Sequence, residues 1–272
     1  MPIITISRGA FSGGRVLAEK VASTLGYRCV DREVIVEASQ RYGVPEAKFV
    51  EILESAPHWW ERWRESLRLY RIVLEAAMCE VAQGDKLVYH GHAGQELLPG
   101  IRHVLKVHLT APMAYRVQQV QSRQGLNADA AIQYIEEVDK ARSKRLHTIF
   151  GTNWRDPSRY DLVLNLAQMS LDTASHLIVE AVRQEDYQLT PASEQAFKDL
   201  TITARVQAAL IIMPKTRNLT INVRVEHGEV YVSGILAQSE LEQTITSIVA
   251  GVPGVTKVVA EFESPPVEYM YP

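Results

Sequence analysis

The sequence has few of the features that mark secreted, membrane-spanning or nucleic-acid-binding proteins. Its 272 residues include two cysteines, Cys29 and Cys79, so no disulfide framework is expected and a reducing compartment is favoured. No run of about 18 apolar residues occurs, so no transmembrane helix is predicted. The net charge of −3 predicts no nucleic-acid partner. The N-terminus does not resemble a signal peptide, and we expect a cytoplasmic protein.

The first two thirds of the chain alternate between short apolar segments and helical patterns. The apolar fraction of 46% is enough for a well-packed core. Alternating strands and helices predict an α/β domain with a five-stranded parallel sheet and helices on both faces. Ligands of such sheets bind at the carboxyl ends of the strands. The predicted strands are 3–7, 27–31, 87–90, 104–110 and 161–165.

The pattern changes after about residue 187. The polar segment 188–197 contains a proline and is predicted to be a linker between a first domain, 1–187, and a second, 198–264. The second domain reads as helix, strand, strand, helix and strand, an αββαβ unit with a hairpin turn between its first two strands. It has no clustered nucleophile, base or metal ligands, so we interpret it as a binding module. Residues 265–272 are predicted to be a loose tail.

A glycine-rich loop follows the first predicted strand. Gly9 and Gly14 have the spacing of the glycines in the phosphate-binding pattern G-x-x-x-x-G-K-[ST], with Arg15 in place of lysine and Val16 in place of the hydroxyl residue. Backbone N–H groups at a helix N-terminus attract anions, and glycines allow a close approach. An ordinary glycine-rich turn remains the alternative. The candidate phosphate-binding residues are Gly9, Ser12, Gly13, Gly14, Arg15 and Val16.

Three charged residues further along the chain share one face of a predicted helix. Asp139, Arg142 and Arg145 are spaced i, i+3 and i+6. From spacing alone, this face is either a site for an anionic ligand or a solvated surface.

Several segments of the first domain, taken in order, carry a family pattern: ITISR (4–8), SGGR (12–15), DRE (31–33), GHA (91–93), VHLTAP (107–112), DKAR (139–142) and YDLVLN (160–165). These segments resemble the cytidylate kinase-like group of P-loop nucleoside monophosphate kinases, and the resemblance covers about residues 1–185. The second domain contains TINV (220–223), Gly228, VSG (232–234) and VPGV (252–255). It resembles BON domains.

This resemblance implies phosphoryl transfer from ATP, with Mg²⁺, to CMP or dCMP. It implies that Asp139, Arg142 and Arg145 belong to a lid that closes over the transferring group, and that Arg15 supplies positive charge to the loop. Val16 has no hydroxyl to hold Mg²⁺. No metal site made by the protein alone is expected, because no thiol or acid has a spacing that matches the histidines His90, His92, His103 and His108. Asp31, Arg32 and His92 are the residues that the resemblance places at the acceptor nucleotide.

The sequence departs from the family pattern at three positions. Phe11 stands where the loop usually has glycine, so its ring is expected to alter access. His92 stands where an arginine normally grips the acceptor, and Ala93 where some members carry an acid.

Our leading hypothesis is a CMP-directed kinase with a BON-like module that regulates or localises it. The alternative is a degenerate nucleotide-sensing protein whose BON-like domain binds a protein or lipid partner. A purely structural assembly protein and a homo-oligomer also remain open.

Overall fold

The computed structural model describes residues 2–31, 33–46, 60–84, 86–91 and 93–265, which form two sheets and their helices. The first sheet consists of β1 (Ile3–Arg8), β2 (Arg28–Val30), β3 (Leu87–Tyr89), β4 (Val104–Thr110) and β5 (Leu162–Asn165). The helices of that region are α1 (Gly14–Leu25), α2 (Glu33–Tyr42), α3 (Trp60–Val81), α4 (Gly94–Leu97), α5 (Met113–Gln124), α6 (Ala128–Phe150) and α7 (Leu171–Val182).

The first sheet is parallel throughout, with strand order β2-β3-β1-β4-β5. Successive residues of its central strand enter different cores. Ile3 packs with α2 and α3 on one face, and Ile4 packs with α1 and α7 on the other. This arrangement confirms the predicted five-stranded parallel sheet with helices on both faces. In this order β3 and β2 lie on one side of β1, and β4 and β5 lie on the other. Because the connections from β1 and from β4 lead in opposite directions, a crevice is expected at the carboxyl end of β1.

The second domain contains helix α8 (Pro191–Ile212), strands β6 (Ile221–Glu226) and β7 (Glu229–Ile235), helix α9 (Ser239–Ala250) and strand β8 (Lys257–Glu263). β6 and β7 form an antiparallel hairpin through His227 and Gly228, and β8 pairs parallel with β7. The predicted αββαβ unit is therefore confirmed. The tail beyond residue 265 lies outside the described residues.

Helix α8 belongs to both domains. It begins at Pro191 with a capping box between Thr190 and Ser193, so residues 191–197 of the predicted linker are helical. Only residues 188–190 of that segment lie outside a helix. Glu194 is exposed in the first turns of this helix, whereas Phe197 packs into the core of the first domain.

The two faces of α8 serve two cores. Phe197, Ala204 and Ala208 pack with α3 in the first domain, whereas Val206 and Leu210 pack with the second sheet.

Among the described residues, no helix is both long and apolar enough to cross a membrane.

A buried ion pair accompanies this packing. The guanidinium of Arg205 on α8 donates from Nε and Nη2 to the Glu80 carboxylate on α3 at 2.5 and 3.0 Å. Arg41 of α2 lies 3.6 Å from the same carboxylate, and Arg205 also donates to the Pro253 carbonyl. Glu80 thus joins α2, α3 and α8.

Candidate phosphate-binding site

The glycine-rich loop lies between the end of β1 and the start of α1. The Ser12 hydroxyl donates to the Gly9 carbonyl at 2.9 Å and tightens the turn. Gly13 has φ of +83°, a left-handed conformation that favours glycine, and no side chain of the described residues caps α1. The first N–H groups of a helix have no partner within it, so this end of α1 can bind an anion. The loop geometry therefore fits a phosphate.

Arg15 does not face the loop in this structure. Its Nε donates to the Glu19 carboxylate at 2.7 Å, one helical turn further along α1, and its side chain is 75% exposed. Val16 is also partly exposed. The loop is instead approached by Arg8, whose side chain lies over Gly14. Burial lowers the pKa of Arg8, while Asp31 opposes this shift. Arg8 was not predicted as a site residue, because it occupies the last position of a largely buried strand.

Phe11 has φ of +58°, which is unusual for a residue with a side chain. Its ring lies 5.7 Å from the Tyr134 ring and packs in the small core between α5 and α6. The structure therefore places the bulky ring of this loop in a hydrophobic contact with the helical hairpin α5–α6.

Asp139 contacts the loop backbone. Its Oδ1 accepts a hydrogen bond from the Ala10 N–H at 3.0 Å, and its Oδ2 accepts one from Arg116 Nη2 at 2.6 Å. Arg116 Nε donates in turn to the Ala10 carbonyl at 2.7 Å. Arg116 was not predicted, since no local pattern links it to a loop 106 residues away.

Arg142 lies partly buried beside Asp139 and donates to the Arg8 carbonyl. Burial and the charge of Arg8 lower the pKa of Arg142 to about 10, so it is charged at neutral pH. Its guanidinium lies 5.7 Å from the centre of the Trp154 ring, and that of Arg155 lies 5.3 Å from the same ring. Arg145 is half-buried on the same helix. Asp139 and Arg142 of the predicted set thus meet at the loop.

A cavity of about 860 Å³ opens next to these residues. It runs from the loop to the carboxyl end of β4 and the far edge of the sheet. This volume is within the range of small-molecule sites. Its lining includes Gly9, Thr110, Arg116, Asp139, Trp154 and Arg155.

On the other side of β1, Asp31 follows the end of β2. Its carboxylate lies 3.7 Å from Nδ1 of the buried His90, and burial lowers the pKa of that imidazole. Asp31 is partly exposed and faces the same edge of the sheet as the loop. Arg32 and His92, which were predicted to bind the acceptor, lie outside the described residues.

His108 makes the free energy of unfolding of the protein depend on pH. Burial, with the charges of Arg142 and Arg155, lowers its pKa to about 4. In the unfolded chain this imidazole has a pKa near 6.5, so it takes up a proton at a pH where the folded protein does not. The free energy of unfolding is therefore highest above pH 6.5, and it falls by up to about 3 kcal/mol as the pH drops toward 4. Urea unfolding at pH 7 and 4.5 measures this loss. We expect it to shrink in His108→Phe and to persist in His176→Gln; an equal loss in all three proteins would contradict this role.

The site fits the phosphates of ATP better than it fits Mg²⁺. Phosphate-bound Mg²⁺ in such loops is usually held by a hydroxyl at the position of Val16. The Ser12 hydroxyl is buried and bonded to Gly9, and no group of three metal-ligating side chains occurs in the described part of the chain. Asp31, on the other side of β1, is a partly exposed carboxylate whose charge acts on Arg8.

The geometry agrees with comparisons to known proteins. The sequence model of the cytidylate kinase-like family matches residues 3–168, more than half of the chain. The chain belongs to the cytidylate kinase-like family. Its second domain matches the BON domain model over residues 198–265. The family assignment agrees with the resemblance seen in the loop and in the strands that follow it.

Curated relatives cover the kinase-like domain. A cytidylate kinase of Methanopyrus kandleri is 26% identical over 185 residues, which is 66% of this chain and 92% of the relative. One from Ignicoccus hospitalis is 27% identical over 185 residues, 68% of this chain and 98% of the relative. A solved structure of an uncharacterized protein from Eubacterium ventriosum covers 66% of this chain and 97% of its own, with a TM-score of 0.53 and 18% identity. This last similarity concerns the fold alone.

Proposed function

We propose that this protein is an ATP-dependent nucleoside monophosphate kinase that acts on CMP or dCMP. The observation that carries the proposal is the loop 9–14 at the N-terminus of α1, with the partly buried charges of Arg8 and Arg142 beside it. Relatives named cytidylate kinase support the choice of acceptor. ATP supplies the phosphoryl group.

Phosphoryl transfer depends mainly on positioning and charge neutralisation. In our proposal the backbone of the loop binds the phosphates, and Arg142 and Arg155 provide positive charge toward them. Of the residues predicted to contact the acceptor nucleotide, Asp31 at the carboxyl end of β2 is the one that the structure describes. Both guanidinium groups lie within cation–π distance of the buried Trp154 ring, at 5.7 and 5.3 Å.

The BON domain is proposed to regulate or localise the kinase through a protein or lipid partner. The outer face of its sheet carries Glu226, Glu229, Glu261 and Glu263 against Arg224 and Lys257. A face with this excess of negative charge is repelled by anionic lipid. A protein partner is therefore the better supported choice.

The direct test is ADP formation from ATP with CMP, dCMP, UMP or AMP as acceptor. We expect turnover with CMP and dCMP, and a loss of most of that activity in Arg142→Met with the fold retained by circular dichroism. Lys198→Met, an exposed position on α8, is the matched control. Folded protein that forms no ADP with any acceptor would reject the kinase proposal.

A degenerate nucleotide-binding protein is the second candidate. Two observations favour it: Val16 provides no hydroxyl for Mg²⁺, and Arg15 is paired with Glu19 away from the loop. Tight binding of a fluorescent ATP analogue without turnover would establish this function, whereas rapid phosphorylation of CMP would exclude it.

A further inference from the structure

We propose that Arg116 and Asp139 are positioning residues, which fix the phosphate-binding loop through the single residue Ala10. The proposal deepens the kinase function above and rests on it for its effect on catalysis. It assigns to Asp139 a role through the loop in place of the lid role that the family resemblance implies.

The three residues form a closed ring of hydrogen bonds. Ala10 donates its N–H to Asp139 at 3.0 Å, Asp139 accepts from Arg116 at 2.6 Å, and Arg116 donates to the Ala10 carbonyl at 2.7 Å. The side chains of Asp139 and Arg116 are 5% and 11% exposed. Charge-assisted bonds between buried groups are strong and directional, so both polar groups of Ala10 are held in place.

This ring explains how the next residue keeps its backbone conformation. Phe11 adopts φ of +58°, and a left-handed residue other than glycine costs about 1–2 kcal/mol. Such conformations persist only where the surroundings impose them. Here the hydrogen-bonded Ala10 precedes Phe11, and the Phe11 ring packs against Tyr134 on α6. The hairpin α5–α6 thus holds the loop at two adjacent residues.

The geometry of Asp139 argues for this indirect role. Its Oδ1 is bonded to the loop, and its Oδ2 lies between Arg116 and Arg155, the latter at 3.5 Å. Both oxygens are therefore engaged by the protein itself. A buried carboxylate neutralised by arginine provides no negative charge that would repel nucleotide phosphates.

The experiment compares Asp139→Ala and Arg116→Lys with Glu137→Gln, an exposed position on α6, the helix of Asp139. Lysine keeps a positive charge near Asp139 but lacks the planar fork whose Nε and Nη2 bond the Ala10 carbonyl and Asp139 separately. Hydrogen exchange of residues 8–15 reports the loop directly. Steady-state kinetics with ATP and CMP report its effect on catalysis.

We expect faster amide exchange in the loop of both variants and a rise in the KM for ATP of up to about a hundredfold, with the KM for CMP little changed. Glu137→Gln is expected to match the wild type. Unchanged loop exchange in Arg116→Lys, or an equal rise in both KM values, would overturn the proposal. If Asp139→Ala fails to fold, Arg116→Lys alone decides.

The same experiment separates this inference from the kinase proposal. If the wild type forms no ADP, the kinase proposal fails, but the positioning role is still tested by loop exchange. Faster loop exchange with weaker binding of a fluorescent ATP analogue would support it. Unchanged exchange would reject it whether or not the protein is a kinase.

Discussion

A chain that ends at residue 190, before helix α8, is expected to lose the cooperative fold of the kinase-like domain. Removing α8 exposes the face of α3 that packs against Phe197, Ala204 and Ala208. It also removes Arg205, the ion-pair partner of the Glu80 carboxylate on α3. Loss of one buried Phe side chain such as Phe197 costs about 3–5 kcal/mol, against a total stability of about 5–15 kcal/mol for a typical domain.

Urea unfolding followed by circular dichroism measures this effect. A pair of substitutions on α8 makes the test sharper, because both introduce the same carboxylate. Ala208→Asp places a charge in the core between α8 and α3 and is expected to unfold the protein. Ala196→Asp is at an exposed position and should change the free energy of unfolding by about 0.5 kcal/mol or less. A truncated chain with an unchanged unfolding midpoint would show that α8 is only docked on the kinase-like domain.

The connection between the domains shows where sequence reasoning was insufficient. The apolar residues Phe197, Ala204, Ala208 and Ile211 follow a helical spacing, which indicates a helix but does not say which core receives it. Polar residues before Phe197 resembled a linker because a helix with one solvent-facing side has similar composition. The partner surface on α3 lies more than 120 residues earlier in the chain, and only the folded structure brings the two helices together.

The five strands were predictable because their apolar runs are short and separated by helical patterns. The glycine-rich loop was predictable as well, since Gly9, Gly13 and Gly14 stand between a strand and a helix. The orientation of Arg15 was not, because its ion pair with Glu19 competes with the loop. The contacts of Arg116 and Arg142 with loop carbonyls depend on tertiary packing, which no local pattern reports.

The two outer glycines of the loop are expected to differ strongly in their tolerance of a side chain, although the sequence pattern treats them alike. A Cβ at Gly14 would lie 2.0 Å from Cδ and 2.9 Å from Cβ of Arg8, closer than real contacts allow. A Cβ at Gly9 would meet its nearest atom, Cζ of Arg116, at 3.6 Å, which is ordinary van der Waals contact. Gly14→Ala must therefore move the Arg8 side chain or the start of α1.

We expect Gly14→Ala to weaken binding of a fluorescent ATP analogue by about a hundredfold, since a shift of about 1 Å in a positioned site has effects of this size. Gly9→Ala is expected to bind within about threefold of the wild type, because a substitution without a clash or a lost contact changes free energy by about 0.5 kcal/mol. Titration of both variants, with their folds checked by circular dichroism, measures the difference. Equal weakening by the two substitutions would mean that the packing of Arg8 over Gly14 does not shape the site. Weakening by Gly14→Ala alone would show that it does, because the same methyl group is added in each variant.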